Sequence, residues 1–143
     1  MSYDLMVFRK EAAPKTKTEF MKWYHDQTEW TEEHSYNDPA ITSIELRNWF
    51  MEMIQTLPAM NGPFATHDDD NLKVSDYCIG KDVIYVAFAW PLAEQAYSTM
   101  RGLAEKHGVG FFDCSGNGDI FFPENGKLKA IARRDSQPWW KFW

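Results

Sequence analysis

The chain has 143 residues, 44% of them hydrophobic and 16% aromatic, with a formal net charge of −6. That length suits one domain burying roughly 70% of its unfolded surface, and the composition excludes a disordered chain. The charge is uneven: residues 1–122 hold 19 acids against 10 bases, while residues 123–143 hold 2 against 5. An acidic body repels phosphate backbones and anionic headgroups, which argues against nucleic acid and membrane surfaces and leaves a basic protein as the natural complement. A net negative charge also serves solubility alone.

The first apolar run spans Tyr3 to Phe8 and has the composition of a buried strand, followed by charge and Pro14. Arg9 and Lys10 come after this run, opposite to a signal peptide, and no stretch approaches the roughly 20 apolar residues that span a bilayer. Thr16-Lys17-Thr18-Glu19 matches a capping box, so a helix is expected to follow. Helical spacing sets Phe20, Trp23, Tyr24, Gln27 and Trp30 on one face and Lys22, Asp26, Glu29 and Glu33 on the opposite flank. From Trp23 to Glu45 there are six carboxylates, Asp26, Glu29, Glu32, Glu33, Asp38 and Glu45, and neither Lys nor Arg.

The pattern breaks between Glu32 and Pro39. Thr42-Ser43-Ile44-Glu45 offers a second capping box, and Leu46, Trp49, Phe50, Met53, Ile54 and Leu57 form a helical stripe ending before Pro58. Residues 58–71 have turn chemistry and no period, including the acidic run His67-Asp68-Asp69-Asp70. Residues 72–80 and 82–90 read as an antiparallel strand pair turning at Gly80-Lys81, the second strand central and buried on both faces. Pro91 suits a helix start, Leu92, Ala93, Ala96, Tyr97, Met100, Leu103, Ala104 and His107 continue a stripe, and Gly108 sits where a left-handed cap belongs.

Residues 109–114 and 119–122 read as strands joined by Gly116-Asn117-Gly118. The remainder, residues 123–143, reads as a basic tail ending in Trp139, Trp140, Phe142 and Trp143. So many aromatics at a chain end should dock on the body or bury in a dimer or partner. The predicted class is α+β in one domain: an antiparallel sheet with helices on one face, in the split β-α-β order of ferredoxin-like folds with an extra helix and a C-terminal hairpin. A rival arrangement gives the first two helices their own layer.

Candidate chemistry is sparse. His25 and Glu29 lie one turn apart and can share a proton, but two ligands do not hold a metal, and a surface pair is the plainer reading. Asp68, Asp69 and Asp70 lack the alternating spacing of a calcium loop, which leaves a solvated or partner-binding segment. Cys78 and Cys114 read as structural free thiols, consistent with a reducing cytoplasm, and the glycine clusters read as turns, not phosphate cradles. No cofactor, metal or catalytic residue is expected.

The strings Tyr3-Asp4-Leu5-Met6-Val7-Phe8, Gln27-Thr28-Glu29-Trp30, Met60-Asn61-Gly62-Pro63, Phe88-Ala89-Trp90 and Gly108-Val109-Gly110-Phe111-Phe112-Asp113 resemble a set of small bacterial proteins, some encoded beside polymorphic toxins. The resemblance runs from residue 3 to about 122. It implies an immunity protein; the acidic, aromatic character of the chain then makes a basic toxin bound directly the expected partner, with Asp26, Glu29, Trp30, Glu32, Glu33, Asp68, Asp69 and Asp70 as contacts. The alternative is a small-molecule-binding or enzymatic domain with a pocket lined by Trp23, Tyr24, Trp49 and Trp90.

Overall fold

The computed structural model describes residues 2–66 and 71–131. Six strands form one antiparallel sheet in the order β2-β3-β1-β4-β5-β6. The strands are β1 (Tyr3–Phe8), β2 (Asp76–Ile79), β3 (Val83–Phe88), β4 (Gly110–Phe112), β5 (Ile120–Glu124) and β6 (Lys127–Ala130). The helices are α1 (Lys17–Gln27), α2 (Ile44–Thr56) and α3 (Ala93–His107). The α+β class and the antiparallel sheet are as the sequence implies.

The helices do not share one face. On the first face α2 contributes Leu46, Trp49, Phe50 and Met53 and α3 contributes Ala96, Met100 and Ala104, packed on Leu5, Val7, Ile84, Val86 and Phe111. The second face carries Met6, Phe8, Val83, Phe112 and Ile120, covered by Phe20, Trp23 and Tyr24 of α1. The reason lies in β1: successive side chains of a strand point to opposite faces, so a run apolar at nearly every position needs a layer on each. Strand β1, buried at every position but Asp4, therefore sits mid-sheet between the two layers, whereas β3, expected to be buried on both faces, keeps Tyr85 and Ala87 half-exposed on the second.

Local signals account for most element ends. Thr16 caps α1, its hydroxyl accepting from the Glu19 amide at 3.4 Å. The N-cap of α2 is Ser43, whose hydroxyl accepts from Leu46 N at 3.3 Å. Thr42, one residue earlier, is buried and donates instead to the Lys81 carbonyl at 3.1 Å, tying the start of α2 to the β2-β3 turn. Gly108 takes the left-handed conformation at φ 67° and closes α3.

Two further boundaries differ from expectation. Helix α1 stops at Gln27, where the Thr28 hydroxyl donates back to the Tyr24 carbonyl at 3.0 Å, and Trp30 lies beyond the helix at φ 55°. Residues 123–130, expected as tail, finish β5 and form β6 through Asn125-Gly126, both at positive φ (53° and 78°). That dipeptide is the commonest two-residue hairpin turn. The tail aromatics, and the question of where they dock, lie outside the described residues, as do His67, Asp68, Asp69 and Asp70. Among the described residues no helix is long and apolar enough to cross a membrane.

Candidate functional site

Beyond α1 the chain runs over the second sheet face toward the β2-β3 turn and is fastened there. The Ile79 amide donates to the Tyr36 carbonyl at 2.8 Å, and the Glu32 amide donates to the Tyr36 hydroxyl at 2.6 Å. The Glu32 carboxylate accepts from the Lys81 amide at 3.1 Å and pairs with His34 Nε2. The hydrogen bond of His34 Nδ1 to the Ser35 carbonyl, and secondarily the Glu32 carboxylate, raise the imidazole pKa. Glu32 is therefore an internal tie first, and its carboxylate is not simply available to a partner.

Trp30 packs edge-on against Tyr36 and Tyr85, with ring centroids 5.1 and 6.0 Å apart. Asp26, Glu29 and Glu33 are exposed, and none has an ion-pair partner among the described residues. Of the expected contacts, Asp26, Glu29 and Glu33 are exposed, Trp30 is half-buried in the aromatic knot, and Glu32 is tied into the fold. His25 is exposed, and no group of three or more His, Cys, Asp or Glu fit to hold a metal occurs among the described residues.

The four aromatics of the alternative pocket are not brought together. Trp49 is fully buried in the first-face core, where its indole Nε1 donates to the Met100 carbonyl at 3.2 Å. Trp23 and Tyr24 belong to the second-face core, and Trp90 is 46% exposed against Tyr3. Sheet sidedness separates them, since a helical stripe says which side of a helix is apolar but not which sheet face it covers.

A polar chain that sequence reading missed lies beside the aromatic knot. The Tyr85 hydroxyl donates to one oxygen of Asp4, and the Ser2 hydroxyl donates to the other at 2.6 Å. Tyr24 lies within hydrogen-bonding reach of Tyr85 and Cys114. Burial, as the largest influence, raises the pKa of Tyr24, Tyr85 and Cys114 and pushes the Cys78 thiol up to about 11. Both thiols are free and stay protonated near neutrality, which is the setting of inert cysteines and not of nucleophiles. Period-two spacing puts Asp4 on the same strand face as Met6, a signal for a carboxylate over the second face.

Register extends this face toward β2. Asp4 and Asp76 both lie opposite Ala87, and Cys78 lies opposite Tyr85. All five side chains are half-exposed; among the described residues α1 is the only helix on this face, packed through Phe20, Trp23 and Tyr24, and Trp30 lies against Tyr85. Among the described residues the hollows of the surface are modest: about 260 Å³ by Arg9, Glu45 and His107, about 400 Å³ by Lys15, Phe122 and Ile131, and about 290 Å³ between Pro39, Met51 and Phe64. Comparison with known proteins returns no matching family model, no matching curated protein and no matching solved structure.

Proposed function

We propose that this chain is an immunity-type binding protein that neutralises a basic bacterial toxin in the cytoplasm by covering it, with Asp26, Glu29 and Glu33 steering the encounter and Trp30 at the centre of the contact. The observation that supports the reading is the exposed carboxylate flank: three acids without ion-pair partners among the described residues, in the same stretch of chain as Trp30, whose ring packs with Tyr36 and Tyr85. Anionic groups together with a rigid aromatic anchor suit association with a cationic surface, because long-range attraction speeds encounter and a preorganised anchor loses little side-chain entropy. Asp68, Asp69 and Asp70 extend the same polarity in the sequence.

The test begins with the gene next to this one. Its product, if a toxin, should co-purify with this protein, and growth arrest on expressing it should be relieved by the wild-type chain. The variant Asp26→Lys/Glu29→Lys/Glu33→Lys should associate at least about tenfold more slowly at low salt, with the gap closing as salt rises. Glu32 is left intact because reversing it would break the His34 and Lys81 ties. An unchanged association rate would remove this face from the interface.

A further inference from the structure

We propose that the hollow between Pro39, Met51 and Phe64 is a docking site for a cationic polypeptide segment, which seats one large apolar side chain in the hollow and a Lys or Arg beside Asp38. None of the residues assigned to toxin binding lines it, so this goes beyond that reading and stands or falls without it.

Three observations carry it. The first is where apolar surface stays in contact with water. Helix α2 buries Leu46, Trp49, Phe50 and Met53, yet Ile44 is 57% exposed and Met51 36%. Seven residues make almost two helical turns, so Ile44 and Met51 form a second apolar line along the outside of α2. Phe64 is 44% exposed, its ring 6.3 Å from that of Phe50 on the same helix. Met51 and Phe64 meet Pro39, Ala40 and Pro63 around a hollow of about 290 Å³. Exposed apolar side chains gathered in one place, with charged groups at the edge, mark an interaction site. The volume stands at the lower bound of sites for whole small molecules, roughly 300 Å³, and suits a single side chain.

The second observation is that the walls are preformed. Arg47 Nε donates to the Pro39 carbonyl at 3.1 Å, and Arg47 Nη2 donates to the carbonyls of Ala40 and Thr42 at 3.0 and 3.2 Å. The short helical turn Pro39–Ile41 is thereby fixed to α2. On the other wall Gly62 takes φ 87° and lies so close to Asn37 that a Cβ there would overlap the Asn37 carbonyl oxygen. A hollow shaped before its partner arrives loses little ordering entropy on binding.

The third is charge, which selects the occupant. Residues 28–66 hold six acids, Glu29, Glu32, Glu33, Asp38, Glu45 and Glu52, against one base, Arg47. Glu32 pairs with His34, Glu52 with Lys106 and His107, and Arg47 is turned onto the three carbonyls. Asp38 lines the hollow, caps the turn by accepting from the Ala40 amide at 2.9 Å, and has no ion-pair partner among the described residues. A carboxylate accepts at both oxygens, so that single bond leaves it able to take a cation. A second copy, a phosphate backbone or an anionic headgroup would add negative charge to an acidic body, whereas a cationic segment offsets it.

The test uses the full chain with isotope-labelled Met methyl groups and three synthetic probes: acetyl-Gly-Lys-Phe-Lys-Gly-amide, the same peptide with Ala for Phe, and the same peptide with Glu for both Lys. The first is expected to shift the Met51 methyl resonance saturably, and the other two to bind at least about tenfold more weakly. Phe64→Ser, at an exposed position, should weaken the first peptide by a similar factor with the rest of the spectrum unchanged, and Asp38→Asn should narrow the gap between the Lys and Glu peptides. Equal binding by the three peptides, saturable shifts centred on other residues, or no saturable shift up to about 10 mM peptide overturns the inference. So does a Met51 shift that grows with protein concentration alone while the mass in solution doubles, since the occupant would then be a second copy.

Discussion

Trp49 illustrates how a single side chain is committed to the core. Its ring is fully buried between α2 and the sheet, and its one polar atom is satisfied by the Met100 carbonyl of α3. Trp49→Ala should cost about 3–5 kcal/mol in urea unfolding, the usual penalty of a large buried cavity, whereas Trp49→Phe should cost far less. Equal losses for the two would mean that the site collapses around the smaller side chain. His34 works through charge. Its pKa is raised in the folded protein by Ser35 and Glu32, so the stability it contributes is fully present below the unfolded value near 6.5 and is lost as pH rises through the folded value. The stability difference between wild type and His34→Asn is thus expected to be larger at pH 6 than at pH 8.5. A difference that does not change with pH would assign the loop's fastening to the main-chain bonds alone.

Among elements, the helices and the edge strand β2 were legible, and the other edge, β6, was not. The stripe of α2 and the left-handed glycine after α3 are local patterns, readable because period and capping chemistry act within a few residues. The start of α2 was misread by one position because Thr42 and Ser43 are equivalent by residue type, and a long-range bond to Lys81 decides which of them caps. Strand β6 went unread although Asn125-Gly126 stood in the sequence, because the basic composition of residues 123–143 suggested a tail. Strand β4 shows how tightly the second face is closed. A Cβ at Gly110 would overlap the ring of Phe8, which is already wedged against Phe20 at 5.1 Å and Phe122 at 5.2 Å. Gly110→Ala should accordingly destabilise by about 1–3 kcal/mol, the overpacking range, and an unaltered urea midpoint would show that this aromatic cluster yields easily.

At the scale of the molecule, charge and topology act together. The carboxylate flank from Asp26 to Glu33 was legible as an anionic stretch, and its steering role belongs to the whole surface because attraction acts over about a Debye length, 8–10 Å at ordinary salt. Tertiary structure then divided the stretch. Glu32 was drawn into the fold, Trp30 became the hub of an aromatic knot, and Asp26, Glu29 and Glu33 stayed outside. The sequence by itself determined the α+β class, the amphipathic helices and the sign of the charge, since these depend on composition and on spacing along the chain. Only the tertiary structure decided that α1 covers the face opposite α2 and α3. The physical reason is that periodicity states which side of an element is apolar, while the choice of sheet face is made by strands that are apolar on both sides and distant in sequence.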